Sequence, residues 1–292
     1  MNLKAIDAAL AAYREKLDEG DVARLEFFRK LWGALDEAAA DAPAAEGWDA
    51  PRAEDLRTWF AAGEPVLAHA PAPVGAAPFA AALERASACA AAHGGFAAGT
   101  AEALGRTRWD RIVAASPLEQ AGSDPAAYLG ALAELLVDDG MTEDQARTAA
   151  LVAALALRSQ LEEPARAAAR ALEQAGCDAP HPLACPVCGG APVAGRVGGE
   201  SFTQGRGKTL WCAQCGTSWE VERVRCARCG TQNQAHLHYY NVEGDDAHRI
   251  ATCDECGGYL RTVYADDALA PFSFEVEDVI MARLDAIAAE RG

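Results

Sequence analysis

Positive charge is scarce in this chain: 26 Lys and Arg stand against 43 Asp and Glu, a formal net charge of −17. Affinity for a phosphate backbone comes mainly from cations that displace counterions, so this balance disfavours a nucleic-acid partner. Long apolar runs are missing too. The longest uncharged stretch, Pro65 to Leu83, has the length of a membrane span, but Pro65, His69, Pro71, Pro73, Gly75 and Pro78 interrupt it. It reads as a loop, and no membrane span is expected. Charges at Arg14, Glu15 and Lys16 arrive before any apolar stretch long enough for a signal peptide, which points to a cytoplasmic protein. A phosphate-binding glycine loop, a nucleophile elbow and an H-E-x-x-H helix are all absent. The expectation is a protein that is not an enzyme.

What is present divides near Gly176. With 51% hydrophobic residues, 292 positions suffice for two domains and a sizeable core. Residues 1–180 are rich in Ala, Leu, Glu and Arg at helical spacing and predict an all-α domain. Ile6, Leu10, Tyr13 and Leu17 mark one amphipathic stretch. After Gly20-Asp21, Val22, Leu25, Phe28, Trp32 and Leu35 mark a second, and the two predict a helical hairpin. Asp124-Pro125 and the capping-box spacing of Thr142 to Gln145 predict helices over 125–139 and 143–175. Residues 41–51 and 65–78 read as connections.

Pro180-His181-Pro182 then ends helix formation. Strands are predicted at 218–225, 236–243 and 259–264, with turns at Gly198-Gly199 and Gly244-Asp245. A closing helix over 275–290 carries Val276, Val279, Ile280, Leu284 and Ile287 on one stripe. The expected fold is α+β in two domains: helices over 1–180, metal modules over 181–225 and 226–270, and a C-terminal helix over 271–292.

The modules rest on eight cysteines in four pairs of C-x-x-C spacing: Cys185 and Cys188, Cys212 and Cys215, Cys226 and Cys229, Cys253 and Cys256. Adding 41 to each of the first four positions gives the last four, which is an internal duplication. Gly189 matches Gly230 and Gly216 matches Gly257, as suits a turn that needs positive φ after the second cysteine. Two such knuckles make a closed tetrahedral site. The 23 residues between knuckles are enough for a β-hairpin, so each repeat reads as a zinc-ribbon or rubredoxin-like module. The repeat argues for one site per module rather than interleaved pairing. About 41 residues bury too little apolar surface to fold alone, so a bound ion is expected to supply the missing stability. Four thiolates suit zinc and iron alike, and all four positions are protein ligands, which disfavours metal-assisted hydrolysis.

Weaker features have ordinary readings. Cys89 and Cys177 read as small buried side chains rather than reactive thiols. His236 and His238 alternate on a predicted strand and so share one face. Between Cys185 and Gly230, Arg196, Arg206, Lys208, Arg223, Arg225 and Arg228 outnumber Glu200, Glu220 and Glu222, a basic patch whose ordinary reading is a solvated face.

The run from Cys185-Pro186-Val187-Cys188 through Thr203-Gln204-Gly205, Leu210-Trp211-Cys212, Trp219-Glu220-Val221-Glu222-Arg223-Val224-Arg225-Cys226 and Leu237-His238-Tyr239-Tyr240 to Cys253-Asp254-Glu255-Cys256-Gly257-Gly258-Tyr259-Leu260 resembles the formate dehydrogenase accessory proteins, the FdhE family. The likeness is close over residues 183–266. Over the helical part it extends only to length, helical character and order of domains. It implies a cytoplasmic maturation factor that binds the catalytic subunit of formate dehydrogenase, with the eight cysteines as ligands of two iron ions and no catalytic residue. Trp219, His238 and Tyr259, shared with the family, are expected to pack around the knuckles. The residues alone leave two rivals: a nucleic-acid-binding ribbon protein using Arg223, Arg225 and Arg228, and a rubredoxin-like electron carrier.

Overall fold

The computed structural model of the protein describes residues 1–14, 16–41, 47–178, 181–198, 207–242, 244–264 and 270–291. Nine α-helices come first: α1 (Leu3–Tyr13), α2 (Glu19–Asp41), α3 (Ala53–Ala62), α4 (Val66–His69), α5 (Ala76–His93), α6 (Ala98–Arg106), α7 (Trp109–Ala115), α8 (Pro125–Asp138) and α9 (Glu143–Gln174). The caps read in the sequence are in place. Asp124 accepts a hydrogen bond from the Ala127 amide ahead of Pro125, and Thr142 and Gln145 form a reciprocal capping box. Helix α9 buries Ala146, Ala149, Ala153, Ala156, Ala165 and Ala168, small side chains that let α5 and α8 approach its backbone closely.

Six strands follow, β1 (Ala194–Val197), β2 (Gly207–Trp211), β3 (Ser218–Glu222), β4 (Leu237–Val242), β5 (Asp245–Cys253) and β6 (Tyr259–Tyr264), then α10 (Phe274–Ile280) and α11 (Ala282–Arg291). The strands form one sheet in the order β3-β2-β1-β6-β5-β4. Each module contributes an antiparallel three-stranded meander, and the two join through the parallel pair β1 and β6.

The offset of 41 holds for two strands of each meander but not for the third. Gly207 pairs with Glu222 in β2 and β3, and His248 with Val263 in β5 and β6, the same register shifted by 41 at each position. In the remaining strand, Ala194 of β1 faces Trp211, whereas His238 of β4 faces Thr252, so the counterparts differ by 44. A 3-10 turn at Gln234–His236, ahead of β4, accommodates the extra residues.

Several expectations change. Helix α2 continues to Asp41, and the segment 65–78 holds the single-turn α4 and the start of α5. The closing helix divides at Met281, and the side chain of Ile287 lies outside the described residues, as do Gly199, Glu200, Thr203, Gln204, Gly205, Arg206 and Glu243. Strand β3 ends at Glu222, short of Arg225. His236 belongs to the 3-10 turn rather than to β4, so it does not share a strand face with His238. The change of secondary structure near residue 180 is not an end of the core. One buried cluster runs from Leu83, Leu157 and Leu161 in the helices to Val187, Leu210, Trp219 and Val221 in the first module.

The C-terminal helices close the molecule. Val276, Val279 and Ile280 pack with Ile6, Leu25 and Trp32 of α1 and α2, while Met281 and Leu284 pack with Ala194, Trp211, Ile250 and Val263 of the sheet. Beside them, His248 lies between Asp245 and Glu277, 2.7 and 2.8 Å from their carboxylates. The Tyr13 hydroxyl donates to Glu277, and Arg283 pairs with Asp245. Burial works against a charge on His248, but the two carboxylates outweigh it and raise its pKa to about 9.

Candidate metal centres

Each C-x-x-C folds into the same turn. The amides of Gly189, Gly216, Gly230 and Gly257 donate to the carbonyls of Cys185, Cys212, Cys226 and Cys253 at 2.9–3.1 Å. Each first cysteine in turn donates its amide to the residue five places on, as Cys185 does to Gly190 at 2.8 Å and Cys253 to Gly258 at 3.0 Å. The four glycines have φ of 78°, 79°, 80° and 66°, the left-handed region an L side chain rarely adopts, as the sequence leads one to expect.

The turns bring the sulfurs together module by module. Cys185, Cys188, Cys212 and Cys215 form one group and Cys226, Cys229, Cys253 and Cys256 the other, with all Sγ atoms of a group within 4.8 Å of one another. In the first, Cys185 to Cys215 and Cys188 to Cys212 measure 3.6 and 3.5 Å; in the second, both corresponding distances are 3.8 Å. A metal bonded to four sulfurs at about 2.3 Å requires tetrahedron edges of about 3.8 Å, close to these distances, so both groups could hold a metal ion.

Thiol chemistry points the same way. Burial, reinforced by the neighbouring thiols, raises the pKa of Cys185 well above its ordinary value, while hydrogen bonds from those neighbours lower that of Cys215. In the second group burial opposes ionisation of Cys226, but backbone amides and thiols prevail and bring it to about 7, with Cys229 pushed up to about 12. Within each group, one sulfur is readily ionised and another resists. A cation at the centre is what lets all four ionise together.

The surroundings of the two groups differ. All four sulfurs of the first are buried, and its knuckles meet the helices directly. The amides of Val66 and Leu67, at the start of α4, donate to the carbonyls of Pro186 and Val187 at 3.0 and 2.9 Å. Arg158 of α9, 2% exposed, lies against Gly216, stacks over Trp211 at 4.9 Å and pairs with Glu275 of α10. Cys215 Sγ is 3.2 Å from the Thr217 hydroxyl. In the second group Cys229 and Cys256 are exposed. Its sulfurs accept instead from backbone, Cys226 from the Arg228 amide and Cys256 from the Gly258 amide, each at 3.4 Å. Sequence reasoning missed Arg158 because an arginine on a long helix is ordinary; only its burial marks it.

Part of the basic patch is taken up within the fold, while Arg223 and Arg228 stay exposed. Lys208 is buried and donates to the Arg225 carbonyl at 2.8 Å, and its burial lowers its pKa to about 8. Arg225 is held by Glu222 and the His181 carbonyl, Arg228 approaches the Tyr259 carbonyl at 3.4 Å, and Arg196 lies over the Phe272 ring at 4.0 Å. The Trp219 indole donates to the Pro182 carbonyl, His238 meets Asp254 at 2.9 Å, and the Tyr259 hydroxyl donates to Asp285. Cys89 and Cys177 are partly buried, and burial raises both thiol pKa values, so they stay protonated. Among the described residues no helix is long and apolar enough to cross a membrane.

Comparison with known proteins follows the same line. No protein-family model matches the chain. Curated proteins named Protein FdhE, from Escherichia coli O1:K1 and Shigella boydii serotype 18 among others, are 39% identical over 83 residues. That match takes in 28% of this chain and spans about a quarter (26%) of the relatives' own length. A solved structure of the FdhE protein from Pseudomonas aeruginosa has the same fold, with a TM-score of 0.56 and 20% identity over 99% of this chain and 91% of that one. The chain is thus similar over part of its length to proteins named FdhE and shares its fold with one of them.

Proposed function

We propose that this chain is a cytoplasmic accessory protein that binds the catalytic subunit of a formate dehydrogenase and is needed for that enzyme to become active, without catalysing a reaction itself. The observation that carries the reading is the 39% identity over 83 residues to proteins named FdhE, joined to a likeness of fold over 99% of the chain. In this reading Cys185, Cys188, Cys212 and Cys215 hold one metal ion and Cys226, Cys229, Cys253 and Cys256 another, iron by family resemblance, with zinc the alternative. Of the residues on which the nucleic-acid reading rests, Arg225 is held by Glu222 while Arg223 and Arg228 stay exposed, and the net charge of −17 weighs against that reading. The electron-carrier reading keeps one specific observation, the exposure of Cys229 and Cys256 at the second group.

Deletion of the gene in its host, followed by a formate oxidation assay, tests the proposal. Activity should be lost and return with the intact gene, and the purified chain should retain the formate dehydrogenase catalytic subunit. Undiminished oxidation together with no retained subunit would sink it. Metal analysis of protein purified without air from its host should give about two ions per chain, and the visible spectrum separates iron from zinc.

A further inference from the structure

The duplicated modules use one strand edge in two different ways. In the first module the outer edge of β1 is covered: β6 lies along it in parallel, pairing Ala194 with Arg261 and Val197 with Tyr264. In the second, β4 is the last strand of the sheet, and among the described residues no strand covers it. The register places His238–Asn241 of β4 where Ala194–Val197 stand in β1. Gly195 and Arg196 are buried and half-buried, whereas their counterparts Tyr239 and Tyr240 are 41% and 38% exposed.

Apart from a register shift at its end, between Asn241 and Val242, the edge lacks the usual defences. Leu237-His238-Tyr239-Tyr240-Asn241-Val242 contains no Lys, Glu or Pro, the residues that ordinarily prevent an edge strand from pairing. Hydrogen-bond alternation shows which groups are presented. The Asp254 amide donates to the His236 carbonyl, so in this antiparallel ladder the even-numbered residues bond to β5 while Tyr239 and Asn241 turn their amides and carbonyls outward. At the opposite end of the sheet, Trp219 and Glu222 of β3 are engaged by Pro182 and His181.

We propose that the outer edge of β4 is an acceptor site for an extended segment of the client polypeptide, taken in parallel as β1 takes β6. Exposed carboxylates flank the edge, Asp254 and Glu255 near its start and Asp246 past its end. The segment that fits alternates apolar side chains over about five residues and carries basic residues on either side. A second copy of this chain, with its charge of −17, is a poor occupant. The inference rests on the proposed function for the identity of the client, but not for the existence of the site.

Amide hydrogen exchange on the full, metal-loaded chain tests it, first with the formate dehydrogenase catalytic subunit and separately with a synthetic peptide spanning β6 (Tyr259–Tyr264). Both should slow the Tyr239 and Asn241 amides by at least about tenfold. Tyr239→Pro removes one outward amide without touching the ladder to β5; it should keep both metals and weaken binding at least about tenfold, whereas Tyr239→Val should bind normally. A subunit that binds while these amides exchange unchanged overturns the inference and leaves the proposed function standing. If the subunit does not bind, the proposed function fails, and the peptide then decides: protection sustains the acceptor edge, its absence overturns it. Protection that rises with concentration of the chain alone makes the occupant a second copy and overturns the client assignment.

Discussion

The first cysteine group sits inside the helical core, while its repeat 41 positions later stands on the outer half of the sheet with two of its four sulfurs exposed. The turns, the glycines and the sulfur spacing are the same in both. What differs is what each touches, and this difference assigns them different work. The first group is a wall of the core, with all four cysteines in its main cluster, whereas the second reaches that cluster only through neighbours such as Ala227 and Leu260.

The largest expected effect breaks this asymmetry at its centre. Cys185→Ser should abolish one metal site and lower the stability of the whole chain by several kcal/mol, a large share of the about 5–15 kcal/mol that holds a domain together. Cys226→Ser should also remove one ion but leave the helical melting transition close to its original midpoint. Metal analysis and thermal melts followed by circular dichroism check both, and equal midpoints would show that the first group is no more structural than the second.

Next in size is Arg158, which couples the first group to α10 through Glu275. Arg158→Ala leaves Glu275 with its partner removed in a poorly solvated place and should cost about 3–5 kcal/mol, read from denaturant midpoints. A smaller effect sharpens the comparison in time: under a chelator the ions should leave in two phases, and alkylation should reach Cys229 and Cys256 during the first. Loss in a single phase would mean the two sites open together.

The smallest effect concerns an anchor belonging to neither site. The pKa of His248 is raised to about 9 from 6.5, so its stabilising charge is fully present below about pH 6.5 and is lost as pH rises through 9. Asp245, where burial is outweighed by His248 and Arg283, is lowered to about 2 and loses its contribution only as pH falls through that value. The melting midpoint should therefore fall between pH 7 and 10, and His248→Gln should flatten that fall.

The cysteine groups were legible in the sequence because their signal is local: two residues between sulfurs, a glycine behind, and an offset that repeats. The caps at Asp124 and Thr142 were legible for the same reason. What could not be read depends on distant partners. Helix α4 forms in a proline-rich stretch because its first amides bond to the carbonyls of Pro186 and Val187, over a hundred positions away. Strand β1 is four residues long and includes Gly195 and Arg196, too short for alternation to show; it exists because β2 and β6 flank it. The sharp change of composition near Gly176 suggested a boundary, yet composition records secondary structure and not where a core ends.

The shared core also has a consequence for synthesis. Leu157, Leu161 and Leu172 leave the ribosome before Val187, Leu210 and Val221, the side chains that complete their packing. At about 5–20 residues per second, the helices wait a few seconds with one side unsealed. During that interval the nascent chain presents apolar surface and the thiols of Cys89 and Cys177 together, so the time taken to make the first ribbon sets how long the newborn protein stays vulnerable to aggregation.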